Sequence, residues 1–207
     1  MTIVYTAPAG SDIFFENVCF NAAITCIKVS NARKFMAHPY ADLYIDASFD
    51  GYFAEGATPL IFNAPAKTFK LLPNAPLSSA RFCAWHGFWE RTKWEIAPKQ
   101  VKDLPVFKHV LKCAGITLLH TPDIPGLIGP RILCTIINEA VYTLSDRIAS
   151  ANDIDIAMKL GTNYPLGPLE WAERIGTDQI IEVLEYMSQE DSKYQPHPQL
   201  KFILKRD

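Results

Sequence analysis

Glycine is scarce in this chain, with ten in 207 residues. None falls into the G-x-G-x-x-G or G-x-x-x-x-G-K-[ST] spacing that lets a backbone wrap phosphates. After the first apolar run, Ala9-Gly10-Ser11 offers one glycine where a dinucleotide turn uses three. A run of 18 apolar residues is also missing, which excludes a helical membrane span. The start, Met1-Thr2-Ile3-Val4-Tyr5, has neither the basic stretch nor the apolar core of a secretion signal, so the expected compartment is the cytoplasm. Close cysteine pairs are absent. Cys19, Cys26, Cys83, Cys113 and Cys134 form an odd set that reads as reduced, mostly buried thiols, with Cys19 and Cys26 two helical turns apart. His38, His109, His120 and His197 stand in no ligand-like spacing to Cys, Asp or Glu, and no metal is expected. Nor is there a charge excess: 20 basic against 22 acidic side chains argues against a nucleic-acid binder as a whole.

What is present is a globular composition, 49% hydrophobic and 20% charged, in a chain long enough to bury a core. Charge is uneven along it. Residues 61–121 carry nine basic side chains against three acidic ones, an excess of six, whereas residues 150–207 carry six against ten. The basic middle third suits an anionic ligand such as one bearing phosphates, and equally a solvated surface.

Short β-branched runs bounded by Pro, Gly, Asn or Asp predict strands at Thr2–Thr6, Asp42–Ser48, Pro59–Asn63, Arg81–Phe88, Lys93–Ala97 and Ile116–His120. Helical spacing at Phe14–Lys34 and Pro105–Ala114 lies between them, so the first half reads as α/β with a largely parallel sheet. Beyond the hinge-like Pro122, Pro125 and Gly126 the pattern is purely helical. An i, i+4 ladder of Ile128, Ile132, Ile136, Ala140, Leu144 and Ile148, flanked by Leu133, Ile137 and Val141, predicts a wide buried stripe. Asn138-Glu139 is then assigned to a polar face opposite it. Ser150 with Asp153 predicts a capped helix start, and Pro168 and Thr177 mark two more. The division is residues 1–121, an α/β domain, and residues 122–207, a small all-α domain.

His86 is the side chain most suggestive of chemistry. It sits in Phe82-Cys83-Ala84-Trp85-His86-Gly87-Phe88, and Glu95 follows in a second strand-like run after the polar turn Glu90-Arg91-Thr92. Two strands so joined could set a carboxylate against an imidazole, fixing its tautomer and stabilising its cation as a general base requires. A satisfied core histidine is the plain alternative. Trp85, Trp89 and Trp94 fit either a pocket wall or an aromatic core.

The second half resembles the C-terminal domain of the 3-hydroxyacyl-CoA dehydrogenases. The resemblance is carried by Pro125-Gly126-Leu127-Ile128 with Arg131, Asn138-Glu139-Ala140, Asp153 to Gly161, Pro165-Leu166-Gly167-Pro168 and Ile175-Gly176-Thr177-Asp178, in the family's order and spacing. Upstream, Ala41–Ala47 and Pro59–Asn63 look like two of the family's strands. Arg81–Phe88 is similar to its R-F-I-G-M-H-F-F-N-P segment.

This resemblance implies that His86 is the catalytic base, Glu95 its carboxylate partner and Asn63 a substrate-binding residue. It also implies a shortened Rossmann-like fold for residues 1–121, NAD as cofactor, a 3-hydroxyacyl-CoA/3-ketoacyl-CoA substrate pair, and a homodimer formed through the C-terminal helices. The sequence departs from the family at Trp89 and Pro130, where asparagines are usual, at Ala64-Pro65, and in the missing glycine loop. A non-catalytic acyl-CoA-binding relative and a proton-transfer enzyme using the same dyad stand as alternatives.

Overall fold

The computed structural model describes residues 1–8 and 24–205. Ala9, Gly10, Ser11, Cys19 and the stretch 14–23 of the expected first helix lie outside them. The chain divides into two compact units, Met1–Leu127 and Ile128–Asp207.

The first unit is built on a seven-stranded sheet. Its strands are β1 (Thr2–Thr6), β2 (Thr25–Lys28), β3 (Leu43–Asp46), β4 (Leu60–Asn63), β5 (Ser79–Phe82), β6 (Lys93–Pro98) and β7 (Thr117–His120), in the spatial order β2-β1-β3-β4-β5-β6-β7. Every pairing is parallel except β5 with β6, which is antiparallel. That exception needs only the connection at residues 83–92, whereas a parallel neighbour would require a crossover of a dozen or more residues. Helix α1 (Leu104–Cys113) joins β6 to β7.

Both faces of the sheet are covered, so its central strands are apolar on both sides. Ile3, Tyr5, Leu43, Ile45, Ile61, Ala80, Phe82, Trp94 and Ile96 pack with Phe107, Val110 and Leu111 of α1 on one face. Val4, Tyr44, Leu60 and Phe62 pack with Ala32 and Phe35 on the other. β2 is a correction, because Thr25–Lys28 was assigned to helix. Alternation across four residues is too short to outweigh a longer helical pattern, and pairing of Thr2–Tyr5 with Thr25–Lys28 decides the matter. Cys26, now on a strand, is disulfide-bonded rather than a reduced thiol; a spacing counted in helical turns does not apply there. Cys83, Cys113 and Cys134 are free.

The second unit contains α2 (Gly129–Ser145), α3 (Ala151–Thr162), α4 (Pro168–Ile175) and α5 (Thr177–Ser188). Its helix starts follow local chemistry. The Ser150 hydroxyl accepts from Asp153 N–H at 3.2 Å, and the Asp155 carboxylate accepts from Leu169 and Glu170 N–H at the start of α4.

Two expectations about α2 fail. Its buried side is Leu133, Cys134, Ile137, Asn138, Ala140 and Val141, while Ile132 of the ladder is 52% exposed. Periodicity marks a broad apolar arc; the neighbouring helices and tail cover only one edge of it. Asn138 is 2% exposed and not on a solvated face. Its amide donates to Gln195 C=O and its carbonyl accepts His197 N–H, stapling the tail to the helix. Among the described residues, no helix is long and apolar enough to cross a membrane.

Candidate functional site

The sequence reading runs a strand from Arg81 through Phe88. In the structure β5 stops at Phe82, and residues 85–90 fold into a tight hydrogen-bonded turn. Phe88 and Trp89 N–H both donate to Trp85 C=O, at 2.9 and 3.0 Å. Trp85, Phe88 and Trp89 are all buried, whereas a continued strand would send the adjacent Phe88 and Trp89 to opposite faces. Trp89 is fully enclosed, 5.3 Å from the Trp94 ring and nearly parallel to it. The position where the family carries asparagine is therefore core here. Gly87, with φ +78°, takes the one left-handed conformation in this turn.

The same turn leaves His86 outside, its side chain 45% exposed. Two contacts fix its surroundings. The Asn63 side-chain oxygen, at the end of β4, accepts from Ala84 N–H at 2.9 Å and so ties the loop to the sheet. Glu90 lies four residues after His86, with Oε1 3.5 Å from the imidazole Nδ1. Its Oε2 accepts Gly87 N–H at 2.7 Å. Glu95 stands in the middle of β6, between the buried Trp94 and Ile96 and on the opposite face of the sheet from them. Asn63 is thus a brace of the His86 loop. Glu90 was read only as part of a polar turn. Its i+4 spacing from a histidine, across a glycine, was the available signal.

Behind the loop, Arg81 of β5 is completely buried. Its guanidinium donates to Asp123, to Ala64 C=O at 2.7 Å and to Ile124 C=O at 3.1 Å. Burial lowers its pKa and the Asp123 carboxylate opposes that shift. Gly126 N–H completes the junction by donating to Pro65 C=O at 2.8 Å. The segment after β7 is thereby locked to the segment after β4, beside Asn63.

The other sheet feature with chemical meaning is the switch point. From β1 the chain moves out to β2 and returns to β3 on the far side, which opens a crevice at the carboxyl ends of β1 and β3. Open α/β sheets take nucleotides at such a point. Thr6 and Asp46 meet there: the Thr6 hydroxyl donates to Asp46 at 2.8 Å and accepts Ser48 N–H at 3.1 Å. Burial raises the Asp46 pKa, and the Thr6 hydrogen bond works against it. Ser30 and Asn31 follow β2, where an adenosine ribose would lie. The topology and the Ser30 hydroxyl and Asn31 amide fit a dinucleotide, while Thr6 and Asp46 are buried against each other. An acidic ribose partner is not among the described residues that directly follow β2. Among the described residues, no group of three His, Cys, Asp or Glu could hold a metal ion.

Residues 126–206 match the family model described as the 3-hydroxyacyl-CoA dehydrogenase C-terminal domain. The chain is 45% identical over 88 residues to a 3-hydroxybutyryl-CoA dehydrogenase of Bradyrhizobium diazoefficiens, an alignment covering 42% of this chain and 30% of that protein. It is 36% identical over 163 residues to the mitochondrial hydroxyacyl-coenzyme A dehydrogenase of Sus scrofa, covering 73% of this chain and 51% of that one. The matched part spans about a third of the length of the Bacillus subtilis and Bradyrhizobium relatives. In structure, the chain is similar to the (S)-3-hydroxybutyryl-CoA dehydrogenase of Ralstonia eutropha, with a TM-score of 0.74 at 19% identity over 99% of this chain and 93% of that one. The fold is the Rossmann-like sheet followed by helices that the sequence led us to expect. With order, spacing and identity agreeing across it, the helical part of the chain, residues 126–206, belongs to the family of 3-hydroxyacyl-CoA dehydrogenase C-terminal domains.

Proposed function

We propose that the chain is an oxidoreductase acting on a 3-hydroxyacyl-CoA/3-ketoacyl-CoA pair, with His86 as general base. The observation that carries this reading is the His86 loop: an exposed imidazole on a turn whose aromatic side chains are all buried, braced by Asn63 and supplied with a carboxylate. In the oxidative direction His86 takes the proton of the substrate hydroxyl. Glu95, the carboxylate that the family resemblance pairs with the ring, orients it and compensates the imidazolium charge. Asn63 meets the substrate through its amide while its oxygen holds the loop.

Nicotinamide, when bound, supplies the acceptor for the hydride leaving C3. Ser30 and Asn31, just beyond the carboxyl end of β2, would hold the dinucleotide. Residues 1–121 act in this reading as a shortened Rossmann-like domain. Residues 122–207 act as a helical domain that forms a homodimer, and the exposed Ile132 edge of α2 supports that role. The compartment in this reading is the cytoplasm.

The test is NADH oxidation with acetoacetyl-CoA, wild type beside His86→Ala, with NADH fluorescence on adding protein as the binding control. Turnover that falls by about a hundredfold or more in the variant supports the reading. A protein that binds the thioester but neither binds nor oxidises NADH is instead an acyl-CoA-binding relative. One that exchanges substrate C2 or C3 hydrogen with deuterated solvent, without nicotinamide, is a proton-transfer enzyme.

A further inference from the structure

The strongest unassigned relationship at the His86 loop is the one with Glu90. The chain leaves β5 at Phe82 and enters β6 at Lys93. In that span Phe88 and Trp89 N–H both donate to Trp85 C=O and Gly87 takes φ +78°, and this tight turn sets Glu90 beside His86. Glu90 is the i+4 residue of His86. Its two oxygens do different things: Oε2 is anchored by Gly87 N–H at 2.7 Å, and Oε1 lies 3.5 Å from His86 Nδ1. The backbone bond matters, because an exposed Glu is otherwise one rotamer among many and an exposed pair contributes little. Anchored through Oε2, the carboxylate presents Oε1 to the ring with most of its freedom already spent.

We propose that Glu90 is a positioning residue for His86. A carboxylate at Nδ1 favours the tautomer with the proton on Nδ1, which puts the basic lone pair on Nε2, the nitrogen that then faces the substrate proton. Glu90 does not touch substrate; it acts through the ring. This rests on the proposal that His86 is the base, and adds a second carboxylate, from the loop itself, to the one on β6. The short connection between β5 and β6 is what brings residue 90 beside residue 86.

The experiment separates the two proposals by reading the ring without substrate. Protein labelled with 15N-histidine is compared as wild type, Glu90→Gln and Glu95→Gln, with His86→Asn identifying the His86 signals in long-range 1H–15N spectra. In wild type the expected neutral form is predominantly Nδ1–H. Glu90→Gln keeps an acceptor for Gly87 N–H but lacks the charge, and is expected to lower the Nδ1–H to Nε2–H ratio by about two- to fivefold, the range an exposed ion pair supports. The kinetic expectation is a fall in kcat of similar size with KM unchanged, which a merely structural loss would not give. An unchanged tautomer ratio in Glu90→Gln, with the ring shifted only by Glu95→Gln, overturns the proposal. A ring that responds to Glu90 in a protein that never turns over acetoacetyl-CoA upholds the positioning contact and rejects the dehydrogenase reading instead.

Discussion

Arg81 and Asp123, 42 residues apart, meet at the carboxyl end of the sheet in a pair whose cation is wholly closed to solvent, with Nη2 2.6 Å from the carboxylate. The guanidinium also donates to Ala64 and Ile124 carbonyls, and Asp123 in turn accepts Phe69 N–H at 2.9 Å. Three stretches of chain that are remote in sequence share one hydrogen-bond network, with Asn63 and the His86 loop directly beside it.

Breaking that network from the cation side leaves a half-buried carboxylate and two buried carbonyls without their donor. Arg81→Met is expected to lose about 3 kcal/mol of stability, and Arg81→Lys to recover only part, because an ammonium cannot reproduce the planar fork. The midpoint of urea unfolding followed by tryptophan fluorescence measures both. A lysine variant equal to wild type would mean that charge alone matters there.

Asn63 distinguishes bracing from binding. Asn63→Asp keeps the oxygen that accepts Ala84 N–H, while Asn63→Ala removes it and is expected to cost about 1 kcal/mol. A residue that also meets substrate through its amide predicts a raised KM for Asn63→Asp with little change in unfolding midpoint. A residue that only braces predicts an Asp variant with unchanged KM. Steady-state kinetics beside denaturation curves decides.

Asp46 predicts a pH dependence of stability. Burial raises its pKa above the 3.8 of a free aspartate, so the native state holds the proton where the unfolded chain has released it. With more protons bound when folded, this group's contribution falls as pH rises, starting near 3.8 and ending above the raised native value. Asp46→Asn keeps an acceptor for Thr6 and removes the titration. The variant is expected to gain on wild type between pH 4 and pH 7 in parallel denaturant titrations. A difference that stays constant across that range would contradict this.

In the helical unit, Gly167 leaves no room for a side chain, since a Cβ there would run into Asp155. Gly167 has an ordinary negative φ, so the only obstacle is that carboxylate. Gly167→Ala should displace the cap of α4 and cost about 1 kcal/mol, as Asp155→Ala should. The double variant should cost well under the sum, because both changes remove the same bonds. Thermal unfolding of the four proteins closes the cycle.

Much of the architecture is legible in the sequence because its causes are local. Thr2–Thr6 forms the strand it was assigned, and Pro168 and Thr177 begin the helices they were taken to begin, since caps and fixed φ angles act within a turn. The helical family blocks are legible for the same reason. The His86 loop was misread as a strand because Trp, Phe and His look like strand residues; only the inward packing of three aromatics makes it turn. Asn138 was placed on the wrong side of its helix because no local rule says that a tail 57 residues later needs its amide.

The sequence by itself determines the two-part plan, the strand and helix order after residue 42, and the family to which the helical part belongs. Those follow from periodicity, capping and motif spacing, which act over a few residues. Tertiary structure alone decides that Arg81 finds Asp123, that Thr6 finds Asp46 and that Ile132 is left outside. It also decides that Glu90, four residues from His86, lies against its ring. The first two are settled by which strands become neighbours, the third by which helices and tail pack against α2, and the last by which aromatic side chains the core has room to take.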